Sequence, residues 1–501
     1  MITQYRPAYY DNPRAASLAG LSTDAKPVDV ENGATYEEID TGKTFRFDKE
    51  NKAWYEVPTS GGGGGTVTVN GPAITFIDYD GTVVTKWAIA DLADKTELPA
   101  PPSHDGLTFQ GWNWTLADIK ALTQEMVVGA MYITDDGKTR IYIHLEDGRT
   151  SPMLGCCPDG TVTVDWGDGT TPDTLTGTSM VTVKWTPTHA YAAAGDYVIT
   201  LQVDGTVGFV GANGAGNGSY LLRYKSGQDN RNFVYQNAIQ KVELGSGVTS
   251  IDNYAFYNCY SLASIIIPDG VTSIGSDAFY NCYSLASITI PDGVTSISTN
   301  AFYNCYSLAS ITIPDGVTSI SSYAFYNCYS LAPITIPSSV TSIGSYAFNS
   351  CYSLASITIP DGVTSISSYA FSYCRSLASI IIPDGVTIIS INAFYNCYSL
   401  ASITIPDGVT SISTSAFNSC YSLASITIPD GVTSISNYAF NSCYGMKYYD
   451  FTALTAVPTL DNANAFNGIA ADCEIRVPAS LLDEWKAAAN WSTYADYIVG
   501  V

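Results

Sequence analysis

The chain has 501 residues and a net charge of −24, from 46 acidic and 22 basic side chains. That balance repels polyanions, so neither nucleic acid nor an anionic membrane is an expected partner. The chain is 46% apolar and only 14% charged, which excludes disorder, and no apolar run is long enough to span a bilayer, so a soluble protein of several domains is expected. Its 36 Tyr, with abundant Ser, Thr and Gly, suit a β-rich surface of extracellular type.

The opening residues, MITQYRPAYYDNPRAASLAG, lack a basic start followed by an apolar core, so no secretory signal peptide is expected. The closing WSTYADYIVGV shows no anchor. A surface-type composition without an export signal points to a virion protein released by lysis.

Residues 1–60 read as a small attachment module. Tyr36, Ile39, Phe45, Phe47, Trp54 and Tyr55 alternate with polar residues around an Asp48-Lys49-Glu50-Asn51 turn. This segment is similar to the short modules that open phage and prophage tail-associated proteins, which implies attachment to a particle. Gly61–Gly65 is a flexible linker.

Residues 66–125 carry Phe76, Asp80-Gly81, Pro99, Pro101, Pro102 and Gly106-x-Thr108-Phe109-x-Gly111-Trp112. They resemble the β-grasp-like internalin B-repeat, which implies a spacer or weak ligand binder. Residues 126–207 carry Trp166-Gly167-Asp168-Gly169, His189-x-Tyr191 and Gly195-x-Tyr197-x-x-x-Leu201. They resemble a PKD-type, Ig-like β-sandwich, which implies a non-catalytic spacer with His189 as a structural hydrogen-bonder. Residues 208–237 read as a connector.

From residue 238 the chain repeats itself. AFYNCYSLASITIPDGVTSI, residues 301–320, recurs almost letter for letter, and nine Cys from Cys259 to Cys443 stand 23 residues apart. A fixed period in this range means a solenoid, in which no unit buries enough apolar surface to fold alone. Leu308-x-x-Ile311-x-Ile313 predicts a strand with both Ile inward and Thr312 outward. Pro314-Asp315-Gly316 then turns the chain, Val317 and Ile320 return to the core, and Ala324 and Phe325 follow on a short helix-like or irregular segment. Strand spacing of ~4.8 Å gives about 45 Å for nine to ten turns.

The A-F-x-x-C-x-x-L-x-x-I-x-I-P pattern resembles the BspA-type leucine-rich repeats over residues 238–446. The expected fold is thus mainly β: small β modules followed by a right-handed leucine-rich-repeat solenoid of 23-residue units. Residues 447–501 contain degraded copies and read as a C-terminal capping segment.

Chemistry is not expected. No G-x-S-x-G, P-loop or H-E-x-x-H occurs. No His follows His189 and nine of the Cys are evenly spaced rather than clustered, so they read as a buried column of small hydrophobes rather than metal ligands, with disulfides between adjacent turns as the minority alternative. The segments Asp78–Gly81 and Asp165–Gly169 lack a full calcium loop and read as turns. No cofactor, metal or catalytic residue is assigned.

Candidate ligand-binding residues come from surface columns of the repeat. One column holds Tyr257, Tyr280, Tyr303 and Tyr326, then Asn349, Ser372, Tyr395, Asn418 and Asn441. The column after the Cys holds Tyr260, Tyr283, Tyr306, Tyr329 and Tyr352, then Arg375, Tyr398, Tyr421 and Tyr444. A third runs Tyr254, Asp277, Asn300, Tyr323, Tyr346, Tyr369, Asn392, Ser415 and Tyr438. Tyr, Ser and Asn suit adaptable recognition, and aromatic ladders can stack on sugar rings; the same Tyr could instead only tile neighbouring turns. Outward Ser and Thr of the strands, such as Ser310 and Thr312, form a second face.

The expected function is a non-enzymatic adhesin or receptor-binding protein, on a phage tail or another extracellular surface, that binds a host-cell glycan or protein. A bacterial surface adhesin and a purely structural fibre component are the alternatives. The N-terminal module would join other virion or surface proteins, and a homotrimer is one assembly open to it.

Overall fold

The computed structural model describes residues 3–4, 17–20, 35–38, 44–48, 53–57, 73–78, 82–95, 97–102, 107–112, 116–120, 126–134, 136–178, 184–209, 221–223 and 235–501. The chain forms two compact units, Met1–Asn70 and Gly71–Val501. The first holds one sheet, whose strands Thr3–Gln4, Ser17–Gly20, Thr35–Glu38, Thr44–Asp48 and Ala53–Val57 lie side by side in chain order. Thr44–Asp48 and Ala53–Val57 pair antiparallel with Phe47 opposite Trp54, as a hairpin requires. Ile39, most of the Asp48–Asn51 turn and the Gly61–Gly65 linker lie outside the described residues.

The second unit begins with a four-stranded sheet in the order Val83–Ala88, Ala73–Ile77, Met126–Thr134, Leu107–Trp112. Alternation puts Ile74 and Phe76 on its buried face with Leu92, Trp112, Ile119 and Val128. Phe76 meets Trp87 and Trp112 edge-on at 4.6 and 5.1 Å. Met126–Thr134, assigned from sequence to the following module, is central to this sheet: Ile74 pairs with Met126 and Phe109 with Tyr132. The boundary expected at 125–126 is therefore displaced past Thr134, because a strand belongs with the ladder that satisfies its amides.

The next strands are Thr139–Leu145, Met153–Asp165, Asp173–Thr178, Lys184–Trp185 and Gly195–Phe209. Trp166 organises their loops. It is fully buried, donates from Nε1 to Asp173 at 2.9 Å and stacks on His189 at 4.5 Å. His189 lies 2.9 Å from Asp168, and the Tyr191 hydroxyl donates to the Trp166 carbonyl at 2.9 Å. Asp165 and Asp168 each accept a backbone N–H two residues ahead, so these carboxylates are occupied as turn formers.

These strands are not a detached spacer. Thr139–Leu145 pairs antiparallel with Gly195–Phe209 on one side and with Ile239–Glu243 on the other. From Ile239–Glu243 the same sheet runs on, now parallel, through Ser264–Ile266, Ser287–Thr289 and Ser310–Thr312. The far end of Gly195–Phe209 pairs parallel with Val248–Ile251. Gly160 and Gly205 stand opposite one another at φ of 120° and 110°. A Cβ on either would fall 2.1 or 2.2 Å from a carbonyl oxygen across the ladder, so only glycine fits there. Leu222–Arg223, within the expected connector, pairs with Met153–Asp165. One buried cluster extends from Ile141 to Ile498.

The repeats form a β-solenoid of about eleven turns over residues 241–500. Ile311 and Ile313 are buried and Thr312 is half-exposed, as the alternation predicts. The Val317 N–H donates back to Pro314 across the Pro-Asp-Gly turn at 3.0 Å. A second, shorter strand, Ser319–Ile320, pairs with Ser296–Ile297 and Ser342–Ile343. The remaining side holds turns rather than a helix. There Phe302 donates to the Ala324 carbonyl and Asn304 to the Tyr326 carbonyl, both at 2.8 Å, so this side too is bonded from turn to turn.

Two further columns lie within. The Phe rings from Phe256 to Phe440 stack nearly parallel at 5.3–5.8 Å, and Phe466 continues the stack at 5.4 Å. Beside them, the Cys thiols donate to the Phe carbonyl of the preceding turn, as Cys282 does to Phe256 and Cys328 to Phe302 at 3.2 Å. All twelve Cys are free and buried. A thiol suits this position because it is apolar enough for the core, while its S–H finds a second lone pair on a Phe carbonyl that already accepts the Cys N–H of its own turn, as Phe256 does from Cys259.

Residues 447–501 do more than cap. Tyr448–Asp450 pairs with Ser425–Thr427, then Glu474–Val477 and Ile498–Gly500 extend the same ladder. Thr459–Leu460 extends the second. The count of nine to ten turns expected from the regular copies thus falls short. The end of the core is closed by Phe451, Phe466, Trp485, Trp491 and Tyr494, all buried; Trp485 meets Trp491 at 4.6 Å, and the Trp491 Nε1–H donates to the Pro458 carbonyl.

Candidate binding surface

The repeat brings most of the sequence-identified Tyr together as stacks. Tyr257, Tyr280, Tyr303 and Tyr326 lie face to face at 4.5–4.9 Å. Tyr260, Tyr283, Tyr306, Tyr329 and Tyr352 do so at 4.6–4.8 Å, with neighbouring planes within 13°. Arg375 then takes the place of one ring. Its guanidinium lies 4.6 Å over Tyr352 and 5.6 Å from Tyr398. The stack resumes from Tyr398 to Tyr421 at 4.7 Å and on to Tyr444 at 5.5 Å.

These rings are half-buried, apart from the exposed Tyr421 and Tyr444. Partial burial raises the phenol pKa of Tyr260, Tyr280, Tyr283, Tyr306 and Tyr329, because the phenolate loses solvation there. Within a stack both faces of each interior ring are occupied by its neighbours. Sugar rings therefore cannot lie on those interior faces, which confines any ring stacking to the terminal rings. What the columns can offer is ring edges and hydroxyls, repeated once per turn.

The third variable column has a different explanation from surface drift. Tyr254, Asp277, Asn300, Tyr323, Tyr346, Tyr369, Asn392, Ser415 and Tyr438 all have φ between 53° and 63°. The residues just before the Cys, Asn258 through Ser442, share that left-handed conformation. Asn and Asp tolerate it best. Where Tyr occupies it, stacking lends support: Tyr346 lies 4.6 Å from Tyr323 and 4.4 Å from Tyr369. Asn281, Asn304 and Asn327 each donate from Nδ2 to the Asn one turn before, at 2.7–2.8 Å. Sequence reading missed this amide ladder. Its signal was Asn recurring directly before Cys, a position where a buried polar residue demands a partner.

One turn departs from its copies at several outward positions. Besides Arg375, Ile381 replaces the Thr of Thr358 and Thr404, and Ile388 replaces the Ser of Ser365 and Ser411. Ile391 replaces Ser368 and Thr414. These isoleucines are 63%, 53% and 46% exposed.

Among the described residues no group of three or more His, Cys, Asp or Glu could hold a metal, and no helix is long and apolar enough to cross a membrane.

A family model described as BspA type leucine rich repeat region, in six copies, matches residues 229–355 and 341–469. No curated protein matches the chain. Similar solved structures include a leucine rich cell surface protein of Faecalibacterium prausnitzii, 27% identical over 60% of this chain and 96% of that one, with a TM-score of 0.35. A leucine rich repeat protein of T. pallidum is 31% identical over 37% of this chain and 84% of its own, with a TM-score of 0.32. One from Bacteroides ovatus is 24% identical, covers 55% and 91%, and has a TM-score of 0.29. Residues 229–469 are thus BspA-type leucine-rich repeats.

Proposed function

We propose that this protein is a non-enzymatic binding protein of adhesin type, whose solenoid engages a glycan or protein on a host-cell surface. The observation that carries this reading is the contrast between inner and outer columns. The Phe and Cys positions keep their residue in all nine copies. The stacked outer column changes from Tyr326 to Asn349 and Ser372 while the turns beneath it keep the same backbone bonds. A surface that varies over an unvarying core is a surface the fold leaves free for recognition.

The test applies the labelled full chain to a panel of bacterial cells and to mucin glycans, beside a variant with Tyr283, Tyr306 and Tyr329 replaced by Ser. Selective staining lost in a variant that stays folded supports recognition. Absence of staining by the folded full chain overturns it. Staining of one bacterial strain would favour a phage-tail setting, and staining of mucin a bacterial surface adhesin; no tail protein stands among the relatives named above. A structural role is favoured by one specific observation, the mutual stacking of the rings, and predicts loss of stability without loss of any binding.

A further inference from the structure

From the setting of Arg375 we infer that the solenoid's ligand is a glycan carrying an isolated acidic group, a carboxylate or a sulfate ester, held by this side chain between the edges of Tyr352 and Tyr398. This rests on the binding role proposed above and assigns its chemistry.

Arg375 is the only cation between residues 245 and 443, a stretch that otherwise carries nine Asp. Its guanidinium carbon lies over the Tyr352 ring, 4.6 Å from the centroid, and 5.6 Å from the centroid of Tyr398 on the other side. Stacking occupies a guanidinium's faces and leaves its five N–H donors pointing along the plane. No carboxylate or carbonyl of the described residues accepts from them. The contrast within the molecule is sharp: Arg140 pairs with Asp136, Arg149 with Glu146 and Arg476 with Glu474. Arg375 is thus oriented by two rings but unsatisfied at the edge that matches carboxylate and sulfate geometry.

The fold does not ask for an arginine here. Every other regular copy has Tyr at this position, and a Tyr would continue a stack spaced at 4.6–4.8 Å. The same turn also carries the exposed Ile381, Ile388 and Ile391 in place of Ser and Thr. Changes gathered at outward positions of one copy mark that copy as more than a spacer. The net charge of −24 repels polyanions while a single stacked cation attracts at short range, so the match is one acidic group on an otherwise neutral sugar.

The test uses the full chain and its Arg375→Tyr variant, which restores the residue of the other copies and so preserves folding. Sialyllactose, lactose sulfate, lactose and heparin are the probes. The expected result is binding of one or both singly charged probes over lactose and heparin, weakened about tenfold or more by Arg375→Tyr and reduced by salt. Preference between the two probes distinguishes carboxylate from sulfate. Equal binding of lactose and both acidic probes overturns the inference, as does an unchanged affinity in Arg375→Tyr. If the variant still stains cells as the parent does, the acidic-group inference fails while the adhesin reading stands; if the folded parent stains nothing, the adhesin reading fails with it.

Discussion

Ile141 and Val242 stand directly opposite one another across an antiparallel seam, both fully buried. Ile141 belongs to the β module and Val242 to the first turn of the solenoid. The module therefore occupies the edge that an unprotected solenoid would offer to other chains. A chain beginning at residue 238 should expose both starting ladders and aggregate, whereas one beginning at residue 136 should stay soluble. Light scattering and thermal melting of the two decide it; a soluble 238–501 fragment melting like the full chain would refute the capping role.

The same cap depends on the Gly160–Gly205 crossing. Gly205→Ala places a methyl against the Asp159 carbonyl at a φ that L residues avoid, and should cost at least about 2 kcal/mol. Hydrogen exchange would show faster opening of Val248–Ile251 and slower change towards the C-terminal turns. An unchanged melt would remove the argument for glycine there.

The thiol column predicts alkaline lability. Burial pushes Cys374 and Cys443 up to about 12 from the ordinary 9.0, and the other ladder thiols also upward. A folded pKa above the unfolded one gives stability that is complete below pH 9 and lost as pH rises towards the folded value. Above pH 9 every thiol that the fold keeps protonated and the unfolded chain does not lowers stability further as pH rises, and the ladder holds nine of them. Urea melts should be flat from pH 7 to about 8.5 and then fall steeply, and thiol reagents should label the protein only as it unfolds. Rapid labelling of the native chain at pH 8 would contradict the buried column.

The left-handed column offers a stabilising substitution. Ser415 has φ of 53° and is buried. Ser415→Gly should stabilise by about 1 kcal/mol and Ser415→Val destabilise by at least as much. Equal melts for both would show that backbone strain is not what limits this column.

Tyr306 sits between Tyr283 and Tyr329 at 4.6 and 4.8 Å. Tyr306→Ala should cost about 1–3 kcal/mol through two lost stacks, and Tyr306→Phe less than about 0.5 kcal/mol. If Tyr306→Phe nevertheless abolishes cell staining, the hydroxyl edge is the recognising group.

The solenoid was legible because its period, its alternating Ile and its Pro-Asp-Gly turns all describe one unit. The stacking of Tyr283 on Tyr306 follows from that period too, since equal residues one unit apart must meet. What the letters did not show were relations between unlike segments. Nothing in Arg140–Ile143 announces a partner near residue 242, because an antiparallel seam needs only matching apolar faces. Likewise Tyr323 and Asn327 do not declare a left-handed backbone. Tyr was read as recognition surface at a position where conformation restricts the choice, and Arg375 was visible as an exception but not as a stacked, unpaired cation.

The in-register pairing of identical turns, Ser287 with Ser310 and Ile288 with Ile311, has a consequence for how the array knows its own length. A turn docked one unit too far along would meet the same Phe, Cys and Ile it meets in the correct place, so the interior holds no tally. In the core only the two ends are unlike the middle: the seam at Val242 and the Trp485–Trp491 closure. They act as bookends. Whole units of 23 residues can be inserted or deleted between them while every neighbour still finds a familiar neighbour, and the reach of the protein changes without redesign of its fold.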